Sequence, residues 1–111
     1  MKEKLIQEIL KIKKSHQFKT SSEDLLGFWF DGLEGEALSM LLQRDGVDAT
    51  TESPCLKRYS ESTGLTHEQA HASVVIKWKD GFSENNIKKI VSSLKKNTRK
   101  LRKMSPTWKE G

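Results

Sequence analysis

Between Ala72 and Leu101 the spacing of apolar residues changes once, and that change limits the architectures open to this chain. Val74, Ile76 and Trp78 alternate with Ser73, Val75, Lys77 and Lys79. A period of two puts the two sets on opposite faces of a strand, here a half-buried one. Asp80-Gly81 then turns the chain, and Ser83 is placed to cap a helix. Beyond it Ile87, Ile90, Val91, Leu94, Thr98 and Leu101 recur at helical spacing, until Pro106 limits the helix. A strand and a long one-sided helix must each bury an apolar face, which points to helices packed on a sheet.

The preceding residues supply the other layers. Leu5, Ile9 and Ile12, widened by Ile6 and Leu10, predict an amphipathic helix over residues 3–14. Ser15 to Asp24 is polar and reads as a loop. Leu25 to Phe30 is a compact apolar, aromatic run that suggests a buried strand. After a turn at Asp31-Gly32, Gly35 to Arg44 reads as a helix with Ala37, Leu38, Leu41 and Leu42 inward. Gly46 stands where a helix end favours a left-handed residue. Val47 to Thr50 reads as a short strand, and Thr66 with Gln69 forms a capping box. The expectation is one α+β domain over residues 1–111, a small open sheet of about three strands with helices packed on one face.

Composition bounds the rest. Of 111 residues, 34% are hydrophobic and 32% charged, so the core is modest and the surface heavily solvated. No run approaches eighteen apolar residues, so no membrane span is expected. The start, Met-Lys-Glu-Lys, lacks the apolar run of a secretory signal, and a single cysteine fits a reducing compartment such as the cytoplasm. The net charge of +5 permits an acidic protein partner or nucleic-acid contact and requires neither.

Cys55, the only cysteine, ends the polar stretch Gly-Val-Asp-Ala-Thr-Thr-Glu-Ser-Pro-Cys that begins at Gly46. It cannot form an internal disulfide, and no histidine pair gives it a zinc site. It is either a chance free thiol or one that a substrate or partner reaches. Lys57 and Arg58 read first as solvated loop charges, with support of a thiolate as the alternative, and Glu52 slightly disfavours a thiolate. His16, His67 and His71 do not make a metal set. Lys95, Lys96, Arg99, Lys100, Arg102 and Lys103 form a basic face on the last helix, read first as its solvated side. Trp29 and Trp78 read as core, and Trp108 as exposed or at an interface.

Ala-His-Ala-Ser-Val-Val-Ile-Lys-Trp from Ala70, Phe82-Ser83-Glu84, and Leu-Arg-Lys-Met-Ser-Pro-Thr-Trp from Leu101 to Trp108 resemble the C-terminal segment of the cysteine desulfurases. Those enzymes, of the iron–sulfur cluster system and the class V aminotransferase family, carry Ala-His-Ser-Ser-Ile-Arg-Phe-Ser and Leu-Arg-Asp-Leu-Ser-Pro-Leu-Trp. Gly-Leu-Glu-Gly-Glu-Ala-Leu from Gly32 is similar to their Gly-Val-Glu-Gly-Glu-Ala-Leu. Residues 46–55 match, in register, the stretch that ends at their persulfide-carrying cysteine.

The resemblance implies a small aminotransferase-type domain whose larger partner domain holds pyridoxal phosphate on a lysine. The motifs of that large domain are not in these residues, so the chain by itself is expected to bind no cofactor. The resemblance further implies the small-domain half of a split or truncated cysteine desulfurase, with Cys55 as the persulfide carrier for iron–sulfur cluster assembly. It would work only with a separate pyridoxal phosphate-binding chain or a desulfurase, with an iron–sulfur scaffold protein as a further candidate partner. Its alternative is a catalytically dead interaction domain. The family's carboxylate-binding arginine falls on Val75, which cannot make the bidentate contact. Lys77, on the same strand face, is the weak substitute. An alignment that instead deletes the cysteine loop would make Cys55 incidental.

Overall fold

Lys14 reverses the chain from a helix into a strand. In the computed structural model, which describes residues 2–20, 22–51 and 64–105, helix α1 spans Lys2–Leu10 and strand β1 spans Ser15–Phe18. The helix ends before residue 14. The N–H groups of Lys11 and Ile12 reach back only three residues, to the carbonyls of Glu8 and Ile9 at 3.3 and 3.0 Å. Lys14 then takes a left-handed φ of 57°. Ser15 Oγ donates to the carbonyls of Ile12 at 2.6 Å and Ile9 at 3.2 Å, satisfying groups the helix end leaves open. The reading of Ser15 to Asp24 as loop throughout is therefore corrected. The first four residues are an edge strand, held by what their side chains meet across the ladder rather than by an apolar pattern.

Strand β2 is Leu25–Phe30, helix α2 Gly35–Arg44, strand β3 Ala49–Thr50, helix α3 His67–His71, strand β4 Ser73–Lys77 and helix α4 Glu84–Met104. All neighbouring strands pair antiparallel in the order β1-β2-β4-β3, four strands where about three were expected. The α+β architecture is as read. Leu26, Phe28, Phe30, Val74 and Ile76 face the helices, packing with Leu5, Ile9, Leu38, Leu42, Ile87, Ile90 and Leu94. Trp78 joins this core, edge-on to Phe82 at 4.9 Å.

The other sheet face is also covered in part. Phe18, Leu65, Ala70 and Val75 form a second buried cluster, with Leu25 and Trp29 packed against it. β4 is thus buried on both faces from Ser73 to Ile76, where alternation had suggested a half-buried strand. The reason is position: β4 is central in the sheet, and α3 and Leu65 lie over its second face.

Local signals hold where they were specific. Thr66 and Ser83 both close capping boxes, with Gln69 and Asn86. Gly46 has φ 84°, and the bonds Gly46 N–H to Gln43 and Val47 N–H to Leu42, each 2.9 Å, end α2 in a Schellman turn. Gly35 opens α2 against β4. A Cβ there would stand 1.9 Å from the Ser73 carbonyl oxygen, so only glycine permits this approach.

Candidate functional site

Cys55 lies outside the described residues, as do Pro54 and Trp108. The structure describes the frame from which the Cys55 stretch departs and to which it returns. On the departing side Thr50 pairs with Val75 and Ala49 with Ile76. Gln43 Nε2 donates to the Ala49 carbonyl at 2.6 Å, tying β3 to α2. On the returning side Gly64 takes φ 77°, and Leu65 is buried against the Phe18–Val75 cluster. Both ends of the segment therefore meet at Val75.

Val75, to which the resemblance assigns the family arginine, is 3% exposed and buried in that cluster. It pairs with Gly27, and a Cβ on Gly27 would lie 2.6 Å from the ring of Phe18. The Phe18 ring thus roofs the pair. Among the described residues this apolar enclosure offers a substrate carboxylate no cation.

Lys77 ends β4, exposed, opposite Leu25. Its N–H donates to the Asp48 carbonyl at 3.0 Å. Its face is the one expected, but Lys77 is not part of the buried cluster around Val75. Lys79 lies past the strand and pairs with Asp48 at 3.7 Å.

A cleft of about 800 Å³ opens where β2 ends, between α3 and the end of α4. Trp29, Leu33, Leu101 and Met104 give it apolar walls, and Asp31, Glu34 and Glu68 line it with carboxylates. Trp29 is stacked on His16 at 3.8 Å, and His16 Nε2 lies 3.3 Å from Asp31 Oδ2. Trp29 is therefore a half-buried wall residue and not core. Among the described residues no lysine or arginine lines the cleft. Pyridoxal phosphate needs an amine for its aldehyde, and the described lining supplies none. Among the described residues, no three His, Asp or Glu side chains stand together as metal ligands, and no helix is long and apolar enough to cross a membrane.

Two polar networks, one around buried Arg102 and one around half-buried Asp45, escaped the sequence reading. Arg102, assigned to the solvated basic face, is only 5% exposed. Its Nε donates to the Asp31 carbonyl at 2.9 Å, Nη1 to Lys13 at 2.6 Å and Nη2 to Lys14 at 3.2 Å. Position 102 lies four residues after Thr98 and eight after Leu94, on the buried stripe, and that spacing was the available signal. Asp45, the C-cap of α2, accepts from Ser93 Oγ at 2.7 Å and Asn97 Nδ2 at 2.9 Å, with Lys96 Nζ at 3.1 Å. A carboxylate is disfavoured at a helix C-terminus. The bonds from Ser93 and Asn97, then Lys96, nevertheless hold its carboxyl well below the usual range.

No protein-family model matches the chain. The chain is similar to the cysteine desulfurase IscS of Clostridium botulinum, 32% identical over 91 residues, covering 77% of this chain and 23% of the relative. The IscS of Methanosarcina thermophila is 28% identical over 115 residues, 96% of this chain and 28% of the relative. IscS 1 of Archaeoglobus fulgidus is 24% identical over 118 aligned positions, 98% and 31%. The chain thus spans about a quarter of the length of the curated relatives it matches.

Proposed function

We propose that this chain, a relative of one part of the cysteine desulfurases, is an accessory sulfur-transfer domain that works beside a separate pyridoxal phosphate-binding chain and leaves recognition of cysteine to that partner. The observation that carries this reading is the enclosure of Val75 beneath Phe18 and Leu65. A substrate carboxylate must be held elsewhere. The cleft, whose described lining carries carboxylates and no amine, supports the same division of labour.

Cys55 is the residue to which sulfur would pass. Its thiolate would attack the outer sulfur of a persulfide on the partner. A new S–S bond forms on Cys55 as the partner's S–S bond breaks and its thiolate leaves. Cys55 follows Thr51 by four residues, a tether of at most about 14 Å. Sulfur would therefore be exchanged near the β3–β4 edge. A second reading, a domain that binds a desulfurase or sulfur acceptor with no sulfur chemistry of its own, is favoured by the same loss of arginine at Val75.

The test mixes the full chain with a desulfurase that has been charged with radiolabelled cysteine sulfur. A stable complex, with label on the wild type and none on Cys55→Ser, supports the relay. A complex with no label on either protein supports the binding domain. If the isolated chain takes up pyridoxal phosphate and releases sulfide from free cysteine, both readings are wrong.

A further inference from the structure

The cleft between the end of α1 and the C-terminal half of α4 is basic on both walls. Lys11 and Lys13 line one side and Lys95, Arg99 and Arg102 the other, around Ile12 and Thr98, in a space of about 470 Å³. Arg102 joins the walls. Its hydrogen bonds to the Lys13 and Lys14 carbonyls hold the connection after α1 against α4, and these acceptors are neutral groups. Among the described residues two carboxylates border the cleft: Glu8 pairs with Lys11 at 2.8 Å, and Asp31 acts on Arg102. Among these residues the cleft is therefore positive, and Lys95 and Arg99 are its exposed cations on α4.

The length of the basic track decides what fits. Lys95 to Arg102 spans seven residues, about 10 Å of helix. That matches roughly three residues of an extended peptide. A nucleic-acid backbone needs cations that continue past both ends. Toward the start of α4 the track instead meets Glu8 and Glu84, each engaged by a lysine, Glu8 by Lys11 and Glu84 by Lys4.

We propose that this cleft receives a short acidic segment of a partner protein, with carboxylates on Lys95 and Arg99 and an apolar side chain over Ile12 and Thr98. Charge complementarity across such a short track sets register and association rate. The inference stands apart from the fate of Cys55.

The test is fluorescence anisotropy on the full chain, using a fluorescein-labelled Asp/Glu peptide with a central leucine and an oligothymidylate of equal charge. Lys95→Glu with Arg99→Glu should weaken peptide binding about tenfold or more. Lys19→Glu with Lys89→Glu, exposed and equal in charge change, should alter it less than about twofold. Circular dichroism checks that both variants stay folded. Equal weakening by the two pairs would reduce the effect to net charge and overturn the proposal. Tighter binding of the oligonucleotide than of the peptide would overturn it in favour of nucleic acid.

Discussion

Thr50 pairs with Val75 across the β3–β4 ladder, so the strand that leads toward Cys55 is tied by its backbone to the residue to which the resemblance assigns the family arginine. The same Val75 is closed over by Leu65, which the chain reaches after that segment. The frame of the Cys55 stretch and the position to which the resemblance assigns the arginine are thus one structural unit, apolar among the described residues.

Restoring the arginine should therefore not restore substrate binding. Val75→Arg places a charge in the enclosure formed with Phe18, Leu65 and Ala70. An unpaired buried charge costs about 3 kcal/mol or more. Urea denaturation should show that loss, with no cysteine binding by calorimetry. A stable variant that binds cysteine would show that the pocket opens readily.

Gly35 is expected to reject even alanine. The added methyl meets the backbone of Ser73, which cannot rotate away as a side-chain end can. Overpacking of this kind costs typically ~1–3 kcal/mol, and the 1.9 Å approach puts Gly35→Ala at or above the upper end. A thermal melt within a degree or so of wild type would contradict the close contact.

Arg102 has a structural test that separates it from its basic neighbours. Arg102→Met keeps much of the stem but deletes the donors to Asp31, Lys13 and Lys14. Losing charge-assisted bonds to carbonyls in a part-buried site should cost about 2–4 kcal/mol. Lys103→Met, at an exposed position on the same helix, should change stability by less than about 0.5 kcal/mol. Similar losses at both positions would return Arg102 to the solvated face.

The Asp45 network predicts a pH dependence with a definite sign. Its carboxyl is depressed in the folded protein, by Ser93 and Asn97 first. The unfolded chain therefore binds the proton more readily, and stability rises with pH. The stabilisation is complete above the ordinary carboxylate range, near pH 4, and is lost as pH falls below it. Glu3, Glu8 and Glu84 are lowered as well, so the informative quantity is the difference between wild type and Asp45→Asn. The melting temperature of the variant should fall less steeply below about pH 5. Parallel curves would remove Asp45 from the acid sensitivity.

What the sequence determined by itself was whatever repeats at short range. The helical stripe of α4, the capping residues Thr66 and Ser83, the left-handed turn at Gly46 and the apolar run of β2 are governed by neighbours within a few positions, so local spacing was enough to read them. Only the tertiary structure decided the rest. Ser15–Phe18 becomes a strand because Trp29 and Gly27 stand opposite it, and nothing in Ser-His-Gln-Phe announces those partners. Val75 is buried because Phe18 and Leu65 arrive from distant parts of the chain, and Arg102 is buried because carbonyls from residues 13, 14 and 31 converge on it. Burial of a polar or functional position depends on contacts made across the whole chain, and such contacts leave no period in the local sequence.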